Sequence, residues 1–242
     1  MDGDITVILN LYRRGDSLKS QIEHIRNQTV SPKEIWLWIN DHEENDSFDL
    51  SEVDVDRIFD NDHNWKFHGR FAAALLSSSE YVALFDDDTI PGSQWFENCL
   101  DVMKETPGIL GGAGVILNDP NTYKNHERVG WPSCNEEVAE VDLVGHAWFL
   151  KRDWVHYLWR ERHCLDNAED IQLSYSAQKY GDLKTYCPPH PSDNKELHSS
   201  IYPWDLGLKK AASDNRPEEF YSQRNAAIRN AIDNGWKPIR CS

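Results

Sequence analysis

The stretch that decides the fold is YVALFDDD, residues 81–88. Its first five residues form an apolar run of strand length, and three aspartates follow directly. A run with no polar alternation is typical of a central strand covered by helices on both faces. In open α/β sheets, ligands bind beyond the carboxyl ends of the strands. We therefore expect a ligand site at Asp86, Asp87 and Asp88.

Strand and helix patterns alternate around this stretch. The β-branched run Ile5–Leu9 precedes Asp16 and Ser17, which can cap a helix with an apolar face at every third or fourth position. Predicted strands lie at 5–9, 35–39 and 81–85, and predicted helices follow at 18–25, 71–76 and 95–103. This alternation indicates an α/β fold with a parallel sheet flanked by helices.

The second half of the chain is less regular. It contains a glycine-interrupted strand at 109–117, shorter strands at 141–144 and 148–150, helices at 168–179 and from 217, and a proline-rich loop at 187–191. We find no repeat, low-complexity segment or linker. The sequence therefore predicts one domain over residues 1–242.

Charge and composition exclude several classes of protein. The 242 residues carry 41 acidic and 25 basic side chains, a net charge of −16, and 39% are hydrophobic. This composition fits a globular protein, and its charge opposes binding to nucleic acids or anionic membranes. Residues 41–62 alone contain ten acidic side chains and one basic side chain. We expect them to form a solvated loop.

Membrane and disulfide signals are weak. No apolar stretch reaches the roughly 18 residues needed to span a bilayer, and the N-terminus lacks the pattern of a signal peptide. The five cysteines are odd in number and none has CxxC spacing. These features predict a cytoplasmic protein without a zinc knuckle or disulfide framework.

The three aspartates suggest a metal site. Adjacent carboxylates repel one another unless positive charge offsets them, and oxygen ligands favour Mg²⁺ or Mn²⁺. Alternate residues of an extended segment share a side, so Asp86 and Asp88 could bind one ion while Asp87 points elsewhere. The alternative is a solvated acidic turn.

Four segments resemble known glycosyltransferases. YVALFDDDTIPGSQW (81–95) resembles the DxD segment of GT-A-fold enzymes that use nucleotide sugars. ITVILNLYRRGDSLKSQIEHIRNQTVSPKEIWLWIND (5–41) resembles the opening of glycosyltransferase family 2 and of the exostosin-like family 64. The Arg-Phe step at 70–71 is similar to the exostosin-like pattern, and NAEDI (167–171) resembles the acceptor-pocket Glu-Asp motif. The resemblance covers about residues 5–180.

The resemblance implies a Rossmann-like GT-A fold with a mostly parallel central sheet and a smaller acceptor-side sheet. Residues from 1 to about 105 would bind the nucleotide, and those from about 106 to 242 would bind the acceptor. The implied reaction moves a sugar from a UDP-sugar to a hydroxyl of a glycan or another acceptor, assisted by Mn²⁺ or Mg²⁺. In this reaction the metal stabilises charge on the leaving diphosphate.

The resemblance also implies roles for individual residues. Asp86 would face the ribose and the metal, Asp88 would bind the metal, and Asp87 would complete the donor site. Arg70 would act on the diphosphate or orient the carboxylates. The expected contacts to the base, ribose and phosphates come from the loops after the first two strands, namely Leu11, Tyr12, Arg13, Asn40 and Asp41.

On the acceptor side, Asp170 is the predicted base of an inverting enzyme, with Glu169 beside it. In a retaining enzyme the same carboxylate would sit near the anomeric carbon, and the sequence leaves this choice open. Capping of the following helix is the alternative role of both residues. The other acceptor-side candidates are His190 as third metal ligand with His198 in reserve, His146 in the acceptor pocket, and Trp131 or Trp148 as sugar-stacking side chains.

Two other readings remain open. A sugar-phosphate nucleotidyltransferase also combines an α/β fold with metal-binding carboxylates, but the loop after Leu9 holds only one glycine, Gly15. A non-catalytic carbohydrate-binding domain is the alternative in which the protein is not an enzyme.

Overall fold

A single mixed sheet runs through the protein. The computed structural model describes residues 3–161, 163–202 and 217–240. Within these ranges, nine strands form one sheet in the order β3-β2-β1-β4-β8-β5-β9-β7, with β6 also paired to β5. The strands are β1 (Ile5–Leu11), β2 (Glu34–Ile39), β3 (Arg57–Asp60), β4 (Tyr81–Phe85), β5 (Ile109–Leu117), β6 (His126–Gly130), β7 (Ala139–Val141), β8 (Leu143–Lys151) and β9 (Thr185–Cys187).

The first half forms the predicted parallel layer. Strands β3, β2, β1 and β4 are parallel neighbours, and β1 and β4 are buried along nearly their whole length. Because their side chains are apolar on both faces, the sheet needs helices on both sides. The predicted α/β class with parallel central strands is confirmed.

Helices cover both faces of the sheet. The apolar face predicted for the first helix is buried, at Leu18, Ile22 and Ile25. The α-helices are α1 (Leu18–Arg26), α2 (Gly69–Ala74), α3 (Trp95–Glu105), α4 (Glu169–Gly181) and α5 (Pro217–Asp233), and short 3-10 helices lie at Glu43–Ser47, Leu50–Glu52, Arg152–Trp159 and Lys195–Leu197. In the described ranges, no helix combines the length and the apolar character needed to cross a membrane.

The second half differs from the predicted strands. Of the predicted strand at 141–144, Val141 ends β7, whereas residues 143–144 join the predicted strand at 148–150 in the nine-residue β8, which runs antiparallel to both β4 and β5. Between β7 and β8, buried Asp142 accepts hydrogen bonds from the amides of Leu117 and Ile239, each at 2.7 Å. The predicted smaller acceptor-side sheet is therefore not separate, because its strands continue the central sheet through β5.

The acidic segment at 41–62 is not only a solvated loop. It contains two short 3-10 helices, and its last residues form β3, the edge strand beside β2. Three of the four β3 residues are exposed. β3 itself carries one basic and one acidic side chain, Arg57 and Asp60, so the acidity of the segment lies in the residues around this strand.

Close packing of β5 against β8 depends on glycine. A Cβ atom added at Gly111 would lie 2.5 Å from Val144 Cβ and 3.0 Å from the carbonyl oxygen of Ala147. In contrast, a Cβ atom at Gly145, which lies in β8 beside Val144, would meet nothing within 4 Å. The two positions therefore form a matched pair for testing the strand contact.

We expect Gly111→Ala to lower the free energy of unfolding by about 1–3 kcal/mol, because overpacking forces the two strands apart. Urea unfolding of both variants measures the effect, and Gly145→Ala should stay within about 0.5 kcal/mol of the wild type. Equal losses in the two variants would contradict this account of the packing.

Candidate functional site

The turn that carries the three aspartates is fixed by helix α1. Gln21 Nε2 donates to the carbonyl oxygens of Asp86 (2.8 Å) and Thr89 (2.5 Å), and Ser17 Oγ donates to that of Asp87 at 2.6 Å. Ser17 precedes α1 but its side chain makes no capping bond, so the predicted role of its side chain as a helix cap is wrong. The hydroxyl instead holds the turn after β4.

Two arginines neutralise the aspartates. Arg70 is buried at the start of α2, where its Nη1 lies 2.6 Å from Asp86 Oδ1 and donates to the Phe85 carbonyl at 2.9 Å. Arg14, in the loop after β1, pairs with Asp87 and also with Asp88 Oδ2, at 2.9 Å. Arg70 was predicted near the carboxylates, whereas the contact of Arg14 was not predicted.

The remaining carboxylate oxygens face a histidine. His146 Nδ1 lies 4.0 Å from Asp86 Oδ2 and 3.9 Å from Asp88 Oδ1. One ligand atom from each of these three residues falls within 4.8 Å of the others. Asp88 Oδ1 and His146 Nδ1 are buried without a hydrogen-bond partner in the described part of the chain. Two carboxylates and an imidazole with unsatisfied atoms fit a divalent cation such as Mn²⁺.

A β-bulge directs His146 towards this point. Gly111 pairs with Trp148 and Ala113 with Gly145, so β8 contains one extra residue opposite β5. His146 lies in this bulge with a φ of 66°, in the left-handed region that non-glycine residues seldom adopt. Bulges near functional sites turn a side chain out of the strand register.

Charge and burial act in opposite directions on the aspartates. Burial opposes ionisation of Asp86, but the charges of Arg70 and His146 outweigh it and lower the pKa of this carboxyl below its ordinary value. Burial raises the pKa of Asp87 to about 7, although the Arg14 guanidinium counteracts it. The arginines are therefore needed to keep the cluster ionised.

The structure does not bring His190 into this cluster. His190 is fully buried, with Nδ1 2.8 Å from the Pro188 carbonyl and Nε2 2.9 Å from Ser199 Oγ. Burial lowers its pKa to about 4, so it is a neutral core residue. The reserve candidate His198 uses Nε2 to contact the Pro191 carbonyl at 2.7 Å. The histidine that joins Asp86 and Asp88 is His146, predicted for the acceptor pocket.

A cleft of about 400 Å³ opens beside the carboxylates. Of the eight predicted donor-site residues six line it, and Leu11 and Asp41 do not: Leu11 is 1% exposed and packs in the core, and Asp41 is exposed outside the lining. The prediction for Leu11 was wrong because neighbouring residues of a strand point to opposite faces, and Asn10 is the one that lines the cleft. The lining residues are Asn10, Tyr12, Arg13, Arg14, Asn40, Asn64, Lys66, Phe67, Arg70, Asp86, Asp87, Asp166, Asn167, Glu219, Phe220 and Gln223.

Asn40 shapes the cleft through the protein itself. Its side chain accepts from Trp38 Nε1 (3.1 Å) and the Trp65 amide (3.0 Å), and donates to the Lys66 carbonyl at 3.1 Å. These bonds fix the loop that brings Lys66 to the cleft. Arg13 is similarly tied, with Nε donating to Glu44 Oε1 at 2.8 Å.

The predicted acceptor-side carboxylates are buried at the start of α4. Asp170 Oδ2 accepts from Arg224 Nη2 at 2.5 Å, and Asp170 Oδ1 accepts from the Ile171 amide at 2.8 Å. Glu169 Oε2 is buried without a hydrogen-bond partner in the described ranges. Burial, and then the charge of Asp170, raise the pKa of Glu169 to about 8. Neither carboxylate belongs to the cleft lining.

Strained backbone surrounds the site. In the described part of the chain, five non-glycine residues have positive φ. Arg13 and Lys66 line the cleft, His146 faces the aspartates, and Ala168 directly precedes Glu169. Such conformations cost about 1–3 kcal/mol each and concentrate where a site requires a fixed geometry.

The predicted sugar-stacking tryptophans are core residues. Trp131 is 6% exposed and packs against His146, with ring centroids 4.3 Å apart. Trp148 is 2% exposed, and the Arg70 guanidinium lies 4.8 Å from its ring centroid. Both rings therefore pack against site residues, Trp131 against His146 and Trp148 against Arg70, and they offer no open face to a ligand.

Comparison with known proteins adds two findings. The family model described as "Glycosyl transferase family 2" matches residues 6–158. A glucosyl-dolichyl phosphate glucuronosyltransferase of Haloferax volcanii is 27% identical over 123 residues, which cover 48% of this chain and 39% of that protein. The chain thus matches less than half of that relative's length.

We expect Mn²⁺ to raise the melting temperature of the wild type and His146→Ala to weaken Mn²⁺ binding at least tenfold, because the variant loses one of three ligand atoms. Thermal shift against Mn²⁺ concentration measures this. His156→Ala, which removes an exposed histidine, is the control and should bind Mn²⁺ as the wild type does. Unchanged affinity in His146→Ala would contradict the assignment of the cluster.

The raised pKa of Glu169 predicts a pH-dependent stability. Folded Glu169 keeps its proton up to about pH 8, whereas the unfolded carboxyl loses it near pH 4.5. This group therefore lowers stability progressively as the pH rises between these values. Glu169→Gln should gain in melting temperature relative to the wild type from pH 5 to pH 8. The exposed control Glu218→Gln should show no such trend, and a pH-independent difference for Glu169→Gln would refute the prediction.

Proposed function

Because this chain belongs to glycosyltransferase family 2, we propose that it is a metal-dependent enzyme that transfers a sugar from a UDP-sugar to a hydroxyl acceptor. The observation that carries this proposal is the division of oxygens in the Asp86 and Asp88 side chains. Each gives one oxygen to an arginine and directs the other towards His146. Arginines that fix carboxylates in this way orient ligands for a metal ion.

The charges around the cleft fit a nucleotide diphosphate. Arg13, Arg14, Lys66 and Arg70 all line it, close to the carboxylates that would hold the metal. A divalent ion held by Asp86, Asp88 and His146 would supply a Lewis acid for the leaving diphosphate. The arginines hold the carboxylates, and Lys66 would add positive charge where negative charge grows as the bond to the anomeric carbon breaks.

The nucleoside would occupy the end of the cleft formed by the loops after β1 and β2. Tyr12 contributes an aromatic ring there, edge-on to His42 with centroids 5.2 Å apart. Asn10 and Asn64 supply amide groups for the base or ribose. Asn40 acts mainly by holding the loop that carries Lys66.

The acceptor would enter from the side of α4 and α5. The predicted carboxylates Glu169 and Asp170 begin α4 on that side, behind the lining residues Asp166 and Asn167, and an acceptor hydroxyl would be bound near them. The Haloferax relative is a glucuronosyltransferase whose name includes a dolichyl-phosphate-linked sugar. UDP-glucuronate therefore belongs among the donors tested.

We expect slow Mn²⁺-dependent release of UDP from at least one of UDP-glucose, UDP-glucuronate, UDP-galactose and UDP-N-acetylglucosamine. Asp88→Ala should reduce it about 10²–10³-fold, since the metal loses a ligand that no neighbour replaces. Enzyme-coupled detection of UDP measures the rate.

The control for this assay is Asp101→Ala, an exposed residue of α3 that should retain wild-type release. Pyrophosphate formation from UTP and a sugar phosphate, without UDP release, would favour the nucleotidyltransferase alternative. The absence of both reactions, together with no effect of any UDP-sugar on the melting temperature, would refute a catalytic function.

A further inference from the structure

The charged side chains that line the cleft are divided between two groups of elements. The basic ones come from the loop after β1 and from α2 with the loop before it, namely Arg13, Arg14, Lys66 and Arg70. The loop before α4 and the first turns of α5 contribute another set, which is the acceptor-side lining: Asp166, Asn167, Glu219, Phe220 and Gln223. This set combines two carboxylates, two amides and an aromatic ring, and none of these described residues is basic.

The two carboxylates of the acceptor-side lining are accessible to a ligand. Asp166 and Glu219 are both exposed, and Asp166 forms no ion pair with a described residue. Glu219 Oε1 lies 3.5 Å from Gln223 Nε2, which is an uncharged donor. Lys124 stacks on Tyr221 of α5, with Nζ 4.3 Å from the ring centroid, and does not line the cleft. Two negative charges therefore face the cleft on this side.

The charged residues at the start of α4 add little net charge behind this lining. Arg224 Nη2 lies 2.5 Å from Asp170 Oδ2, so these two charges largely cancel. Burial, and then the charge of Asp170, raise the pKa of Glu169 to about 8, so this carboxyl is mostly protonated at neutral pH. Its Oε2 is buried without a hydrogen-bond partner in the described ranges. An uncharged hydroxyl is a suitable partner for such a group.

An acceptor on this side would meet groups that suit an uncharged sugar. The Phe220 ring can pack against the C–H face of a sugar, and the Gln223 amide can bond to its hydroxyls. A phosphate or carboxylate on the acceptor would instead be repelled by Asp166 and Glu219. Like charges placed together are a general means of rejecting a wrong ligand.

From this division of charge, and resting on the proposed function, we propose that the acceptor carries no negative charge near its reacting hydroxyl, and that Asp166 and Glu219 select against anionic acceptors. The cleft then uses opposite charges for its two substrates. Its basic residues lie with the metal site on the side of the donor diphosphate. Its acidic residues keep a second anion from binding in place of the acceptor. The acceptor is therefore a neutral or amine-bearing sugar.

Three methyl glycosides that differ only at C6 test this inference. They are the glucoside, the glucuronide and the 6-amino-6-deoxyglucoside, each with its galactose and mannose counterpart. NMR shifts of the Asn167 and Gln223 side-chain amides measure their binding to the complex with UDP and Mg²⁺. We expect the neutral glycoside of at least one series to bind at least about fivefold more tightly than the carboxylate, and the amine at least as tightly as the neutral form. High ionic strength should reduce this ratio, because exposed charges are screened.

Matched variants identify the residues responsible. Asp166→Asn combined with Glu219→Gln should reduce the ratio of neutral to anionic affinity to within about twofold, because the repulsion is removed. Glu218→Gln makes the same change of charge at an exposed neighbour that does not line the cleft, and it should retain the wild-type ratio. A wild-type ratio near one, an unchanged ratio in the double variant, or no amide shift with any glycoside would overturn the inference.

The UDP-release assay separates this inference from the proposed function. If the wild type releases UDP from a donor but binds the glucuronide as tightly as the glucoside, the proposed function stands and the inference fails. If no donor is cleaved, the proposed function fails, and the affinity ratio still decides whether Asp166 and Glu219 reject anions on this side of the cleft.

Discussion

Three adjacent carboxylates at the end of a buried strand must be kept close together and charged, and the rest of the site depends on how their repulsion is balanced. Arg70 and Arg14 provide the positive charge, one from the start of α2 and one from the loop after β1. Arg70 contacts one oxygen of Asp86, and Arg14 contacts one oxygen of Asp88. The outer oxygens of Asp86 and Asp88 are thereby left for a ligand.

The surrounding fold serves this arrangement. Helix α1 fixes the backbone of the turn through Ser17 and Gln21, and β8 supplies His146 from a bulge beside β4. Trp148 and Trp131 pack behind Arg70 and His146, so that neither side chain can move far without disturbing the core. This rigidity is the physical reason to expect a preorganised site, because fixed charges stabilise a transition state without reorganisation. It also explains why strained backbone is concentrated here.

Local sequence patterns predicted the elements whose structure depends mainly on residues close together in the chain. The apolar runs of β1, β2 and β4 and the apolar face of α1 require only periodicity, and the aspartates after β4 follow from the rule for strand ends. The pairing of β8 was not predictable in this way, because its antiparallel position between β4 and β5 is a property of the whole sheet. Its one local signal was the break in the strand pattern at Gly145 and His146, where the bulge lies. Arg14 and Arg224 were missed because a cation in a loop or on a helix reveals its partner only when the chain is folded. The prediction of His190 as a ligand rested on the resemblance to GT-A enzymes, but burial makes it a neutral core residue.

The central claim is that His146 joins Asp86 and Asp88 around one metal ion, as part of a GT-A fold in a family 2 glycosyltransferase. Pulsed electron paramagnetic resonance of the Mn²⁺ complex measures this directly, because a coordinating imidazole gives the metal a nitrogen hyperfine coupling. The account predicts this coupling in the wild type and in His190→Gln, and its loss in His146→Gln. A wild-type complex without nitrogen coupling, or coupling that persists in His146→Gln, would contradict it.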